Sequence, residues 1–237
     1  MLVLGIDSSA ATSSVCLLKD SSPFFGISKS SNTEHSVSLL PLIEDTLKKS
    51  GIEPDDLDLI APVIGPGSFT GIRIGISLVK GLAFASGVPC IGISSLEAGA
   101  YTLFDTEGYV CPVLDARRNT VYSAVFRSDG AGNIIRITDD QIKDLGSIPE
   151  DFPAGPVYLI GDAVEQAVTE LKDDRIVTLP VSSVFPWAYG AALCGAKRFI
   201  EMNEDEKKSA SGGDSLRPLY LRKTLPERIR EEKIRNG

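Results

Sequence analysis

The stretch Leu2-Val-Leu-Gly-Ile-Asp7 is an apolar strand that ends in a carboxylate. A second stretch of the same kind, Tyr109-Val-Cys-Pro-Val-Leu-Asp115, opens the latter half of the chain. The residues after each carboxylate share one pattern. After Asp7 a small polar turn, Ser8 to Ser14, leads into strand Val15 to Leu18 and a third strand at about Phe24 to Ser28. Val37, Leu40, Ile43 and Leu47 then fall at three-to-four spacing, which predicts a helix from Glu34 to Ser50 with Gly51 as its stop. Pro41 deletes one hydrogen bond inside that helix and predicts a kink near residue 37. Strand Leu59–Ile64, helix Phe69–Ala85, strand Pro89–Ile93 and helix Leu96–Phe104 complete the series, with Ser94 or Ser95 as the last N-cap.

After Asp115 a polar turn, Ala116 to Asn119, leads into alternating Val121-Tyr-Ser-Ala-Val-Phe126. Gly130, Gly132 and Asn133 turn the chain into strand Ile134–Ile137. A weak helix Gln141–Leu145, strand Val157–Ile160, helix Ala163–Leu171, strand Arg175–Leu179 and helix Trp187–Glu201 complete this half. The halves match element for element as β-β-β-α-β-α-β-α. This predicts an α/β chain of two tandem ribonuclease-H-like lobes, each a meander extended by right-handed crossovers. Two such lobes side by side resemble the actin, Hsp70 and sugar-kinase superfamily. The expected units are residues 1–106 and 107–203, with a tail, 204–237, able to dock on the first lobe.

Bulk properties exclude several function classes. With 237 residues, 43% apolar and 24% charged, the chain can bury a substantial core as a soluble protein. A net charge of −8 argues against autonomous nucleic-acid binding, so RNA would be reached through a partner. Cys16, Cys90, Cys111 and Cys194 stand far apart with no C-x-x-C pair, which suggests neither zinc nor redox chemistry. No basic segment followed by a long apolar run opens the chain, and no 18-residue apolar segment is read; the expectation is a cytoplasmic protein without a membrane partner. His35 is the only histidine. Multi-histidine metal sites are thereby impossible, and no G-x-S-x-G elbow occurs. The expected site contains no metal and no catalytic residue.

The run Gly65-Pro-Gly-Ser-Phe-Thr-Gly-Ile-Arg-Ile-Gly75 lies between a strand and a helix, where phosphates are often held. It lacks the spacing of a dinucleotide fingerprint and the Gly-Lys-Ser/Thr ending of a P-loop, and Pro66 removes a donor. Gly71 and Gly75 lie one helical turn apart, as do Ser77, Gly81 and Ala85. Gly65, Gly67, Gly71 and Gly75 therefore read as close-packing positions between helices, partly between chains, before they read as an anion cradle. The turns at Asp7, Ser8 and Ser9 and at Asp115 and Arg117 occupy the places of the superfamily's nucleotide hairpins. Neither contains glycine, so plain turns are favoured over phosphate contacts.

Together with Ile6-Asp-Ser-Ser9, His35 with Leu39-Leu-Pro-Leu-Ile43, Pro112-Val-Leu-Asp-Ala-Arg117, Val121-Tyr122 and Pro218-Leu-Tyr-Leu-Arg222, the glycine run resembles the TsaB (YeaZ) family. The resemblance is strongest from residue 1 to about 126. It implies two ribonuclease-H-like lobes and a non-catalytic paralogue of TsaD, the enzyme that threonylcarbamoylates N6 of adenosine 37 in tRNAs reading codons that begin with A. It further implies a heterodimer with TsaD, a ternary complex with the ATPase TsaE, a homodimer in isolation, and no cofactor beyond weak or vestigial ATP/ADP binding. The implied interface residues are His35, Leu39, Ile43, Ser68, Phe69, Thr70, Ile72, Arg73, Ile76 and Lys80, with Phe69 and Arg73 as anchors. Pro62 departs from a regular strand and predicts an unpaired position before the glycine run. Thr33-Glu34 stand where the family often has a basic or polar pair. The alternative reading is an autonomous ATP-dependent phosphotransferase of the sugar-kinase type, with Asp7 as base or magnesium contact.

Overall fold

The computed structural model describes residues 1–30, 35–180 and 184–222, with the side chains of residues 30 and 35–38 outside the description. Strands β1 (Leu2–Asp7), β2 (Thr12–Lys19) and β3 (Ser22–Ser30) form an antiparallel meander. The β2–β3 turn places Asp20 and Ser21 at positive φ (49° and 64°), the twist a two-residue hairpin requires. Helix α1 (His35–Ser50) ends on Gly51, whose left-handed φ of 69° lets Ile52 N–H reach back to the Leu47 carbonyl at 3.1 Å. Strand β4 (Leu59–Gly65), helix α2 (Phe69–Ser86), the short strand β5 (Ile93–Ser94) and helix α3 (Ser95–Tyr101) complete this half. The sheet order is β3-β2-β1-β4-β5, with β4 parallel to β1.

Pro62 interrupts the β4–β5 ladder. Ile60 bridges Cys90 and Val63 pairs with Ile93, and no pair falls at Pro62 between them, because proline has no N–H to donate. On the β1 side Pro62 still lies opposite Ile6.

The second half comprises β6 (Glu107–Asp115), β7 (Thr120–Ser123), β8 (Phe126–Asp129), β9 (Ile134–Arg136), β10 (Gln141–Asp144), β11 (Val157–Ile160), α4 (Val164–Leu171) and β12 (Ile176–Thr178). Its main order, β10-β7-β6-β11-β12, reproduces that of the first sheet. One expectation is corrected here. Gln141–Leu145 is not a helix: Gln141–Asp144 is the third strand of the meander, antiparallel to β7. The strand read at Ile134–Ile137 belongs instead to a β8–β9 hairpin added beside the lower half of β6. The first crossover helix is reduced to 3₁₀ turns over Leu145–Asp151.

The unit read as residues 107–203 ends in a helix whose packing crosses to the first sheet. Helix α5 (Trp187–Glu201) packs on the first sheet, where Ala188, Ala191, Ala192 and Cys194 join Val3, Leu18, Leu59 and Ala61 in one buried cluster. A Cβ on Gly5 would stand 1.9 Å from the Ala188 carbonyl oxygen, and one on Gly190 1.9 Å from that of Ala98. Those glycines let α5 lie directly on β1 and α3. The first sheet is thus covered by α1 and α2 on one face and by α3 and α5 on the other. Helix α6 (Glu204–Ala210) and the chain to residue 222 then return to the first lobe, with Cys90 N–H bonded to the Ala210 carbonyl and Leu216 buried in the α1–α2 core.

Helix α2 also modifies an expectation. It is an 18-residue helix apolar enough by composition to span a membrane. Its inner stripe, Gly71, Ile72, Gly75, Ile76, Val79 and Ala83, is buried against the first lobe, the pattern of a helix packed on a globular core by one face.

Candidate partner face and interlobe cleft

Ser68 caps α2 by accepting a hydrogen bond from Gly71 N–H at 3.2 Å. The helix start is pressed against the β1–β2 turn. Ser68 N–H donates to the Ser9 carbonyl at 2.7 Å, and Ser8 Oγ donates to the Gly71 carbonyl at 2.9 Å. A Cβ on Gly67 would come within 2.3 Å of Ser9 O, one on Gly71 within 1.9 Å of Ser8 O, and one on Gly75 within 2.5 Å of Ser8 Oγ. A Cβ on Gly65 would lie 2.5 Å from the Leu219 carbonyl oxygen. The glycines expected to bring helices or chains together therefore receive the Ser8–Ser9 turn and the C-terminal segment of their own chain.

The expected interface residues separate by burial. Leu39, Ile43, Ile72 and Ile76 lie in the first-lobe core, none more than 5% exposed in the free chain. The His35 side chain lies outside the described residues. Phe69 stacks on Tyr220 with ring centroids 4.1 Å apart, and the Arg73 guanidinium lies 4.7 Å from the Phe69 ring while Nε donates to Tyr220 Oη at 2.7 Å. Lys80 is covered at its backbone by Gly213, whose Cβ would sit 3.4 Å from Lys80 Cα. Phe69 and Arg73 hold the C-terminal segment through Tyr220. The open stripe of α2 runs through Thr70, Ser77, Gly81 and Phe84, with the half-buried Ile74 between Thr70 and Ser77; Phe84 is 85% exposed and nothing lies within 4 Å of a Cβ on Gly81. Phe84 is not among the expected residues, although the helical spacing places it one turn beyond Gly81 and two beyond Ser77.

Between the lobes lies a cleft with two adjoining cavities of about 480 Å³ each, sharing Ala10, Ala11, Leu114 and Asp162. Asp7 is buried, and its Oδ1 accepts from Ser9 N–H at 2.8 Å and Ser9 Oγ at 2.6 Å. Asp115 Oδ1 accepts from Arg117 N–H at 2.7 Å, closing a turn in which Arg117, Arg118 and Asn119 all have left-handed φ near 60°. Asp162, not anticipated, follows Gly161 at the end of β11 and accepts from Asp115 N–H at 2.8 Å. Desolvation, with the like charge of Asp115 behind it, pushes the Asp162 carboxyl above the ordinary range. Both turns thus spend their carboxylates on local N–H and O–H groups. No cluster of three or more histidine, cysteine or acidic side chains placed to hold a metal occurs among the described residues. All four cysteines are buried, and burial pushes the thiols of Cys16 and Cys90 up to about 12, which leaves them unreactive.

Known proteins share this geometry. The family model described as TsaD, tRNA N6-adenosine threonylcarbamoyltransferase, matches residues 27–169. The chain is 37% identical over 251 aligned residues to the tRNA threonylcarbamoyladenosine biosynthesis protein TsaB of Haemophilus influenzae, covering 96% of this chain and 98% of that one. The chain belongs to the TsaB (YeaZ) family. The protein of the same name from Bacillus subtilis is 33% identical over 60% of this chain; the match spans only 61% of that relative's own length. Among solved structures, YeaZ from Pseudomonas aeruginosa superposes with a TM-score of 0.75 at 26% identity, covering 93% of this chain and 99% of that one. A hexokinase of the ROK type from Thermus thermophilus shares the fold at a TM-score of 0.52 and 13% identity, covering 84% of this TsaB-family chain and all of its own.

Proposed function

We propose that this protein is the non-catalytic scaffold and activator of the TsaD transferase. In that role it supports N6-threonylcarbamoylation of adenosine 37 in tRNAs that read codons beginning with A, in the cytoplasm. The names of the relatives support a place in threonylcarbamoyladenosine biosynthesis. A single histidine in the sequence cannot supply a multi-histidine metal site.

The observation that carries the docking reading is the open stripe of α2, which ends on Phe84 at 85% exposure. An aromatic beside Ser77 and Gly81 offers a close-approach surface with one large apolar anchor. TsaD docks there, the TsaE ATPase joins that pair, two copies of this chain use the same stripe in isolation, and tRNA is met only through the complex. The test is affinity for purified TsaD. Phe84→Asp is expected to weaken binding at least tenfold, as loss of a central aromatic anchor does. Unchanged affinity would place the contact elsewhere.

A further inference from the structure

The segment from Leu216 to Arg222 runs from the side of α2 to the turn between β6 and β7. Leu216 is buried in the first-lobe core and Leu219 N–H donates to the Ile64 carbonyl at 2.8 Å. Tyr220 lies flat on Phe69 and takes the Arg73 hydrogen bond at 2.7 Å. Leu221 packs against the cluster that holds Leu114 and Tyr122 of the second lobe. Arg222 Nη1 donates to the Ala116 carbonyl, on the turn that lines the cleft. One stretch of seven residues is therefore anchored in the first-lobe core by Leu216, touches the start of α2 through Tyr220 and reaches the second-lobe turn through Arg222.

That turn depends on such props. Three consecutive non-glycine residues, Arg117, Arg118 and Asn119, are left-handed, a conformation that persists where neighbours hold it. Leu145 N–H on the Asn119 carbonyl and Gln166 Nε2 on Asn119 Oδ1 hold one side, and Arg222 holds the other. We propose that Leu216–Arg222 is a latch that couples the first turn of α2 to this turn and so sets how far the cleft opens. Withdrawing Arg73 from Tyr220 loosens the latch two residues from Arg222, and the Ala116–Thr120 turn responds. A partner seated on the α2 stripe, beside Arg73, would draw that side chain away, which rests on the docking reading above. The test uses the free protein, so its failure leaves that reading intact.

The experiment is amide hydrogen exchange on the full chain at Asp115, Ala116, Arg117 and Thr120, in wild type, Arg73→Ala, Arg222→Ala and the double variant. Tyr220→Phe, which keeps the ring and loses the hydroxyl, is the conservative control. Arg222→Ala and Arg73→Ala are both expected to speed exchange there roughly two- to tenfold, the range that one net hydrogen bond permits. Tyr220→Phe is expected to match Arg73→Ala, and the double variant to exchange no faster than Arg222→Ala alone. Wild-type exchange in Arg73→Ala, or effects of the two substitutions that multiply independently, would overturn the latch.

Discussion

Gly71 has no room for a methyl group, since its Cβ would stand 1.9 Å from a backbone oxygen of Ser8, which cannot rotate away. Gly71→Ala is expected to cost about 2–4 kcal/mol or to prevent folding. Gly81, on the same helix with open space around it, should respond in the opposite direction. Gly81→Ala is expected to stabilise by about 1 kcal/mol, because the backbone loses less freedom on folding. Urea denaturation of the two variants decides both. Asp162 gives a prediction with a definite sign. Its native pKa lies above its unfolded value, so its ionisation works against the fold. Its contribution is fully present below about pH 3.9 and is lost as pH rises through the native value. Asp162→Asn retains an acceptor for Asp115 N–H. It should melt higher than wild type at pH 7 and lose that advantage near pH 3.5; a constant difference across pH would contradict the assignment.

At the scale of elements, the salt-bridge group at Glu97 ties three pieces together. This carboxylate of α3 lies 2.5 Å from Arg198 of α5 and 3.7 Å from Arg136 of β9, and Arg136 also pairs with Asp140. Glu97→Ala leaves two guanidiniums without their shared carboxylate and is expected to cost about 1–3 kcal/mol, reduced from a fully buried case because both arginines reach solvent. Calorimetry of that variant checks it. The same region shows what a sequence can and cannot reveal. Helix α5 is legible to the residue because its apolar spacing and flanking Pro186 are local signals. Its packing on the first sheet is not, because nothing local says which sheet an Ala-rich helix will meet. Gln141–Asp144 reads wrongly as helix because Ile142 and Leu145 fit a helical turn as well as a strand, and pairing with β7 overrides so weak a preference. The glycine run is recognisable as close packing, but its partner, the Ser8–Ser9 turn, is some 60 positions away and becomes visible only through the fold.

At the scale of the whole molecule, the duplicated strand–turn pattern yields two sheets of one topology, with α3 and α5 between them. The cleft left by this arrangement sets Asp7, Asp115 and Asp162 beside Arg117 and Arg222, and the open stripe of α2 faces outward with Phe84. On the scaffold reading the protein acts through that outward face. The decisive measurement is threonylcarbamoyl transfer to tRNA in a reconstituted mixture. It should be run complete, without this protein, and with this protein in place of TsaD. The scaffold role predicts that omission abolishes or severely slows turnover and that substitution does not restore it. Transfer carried by this protein in the absence of TsaD would contradict that role.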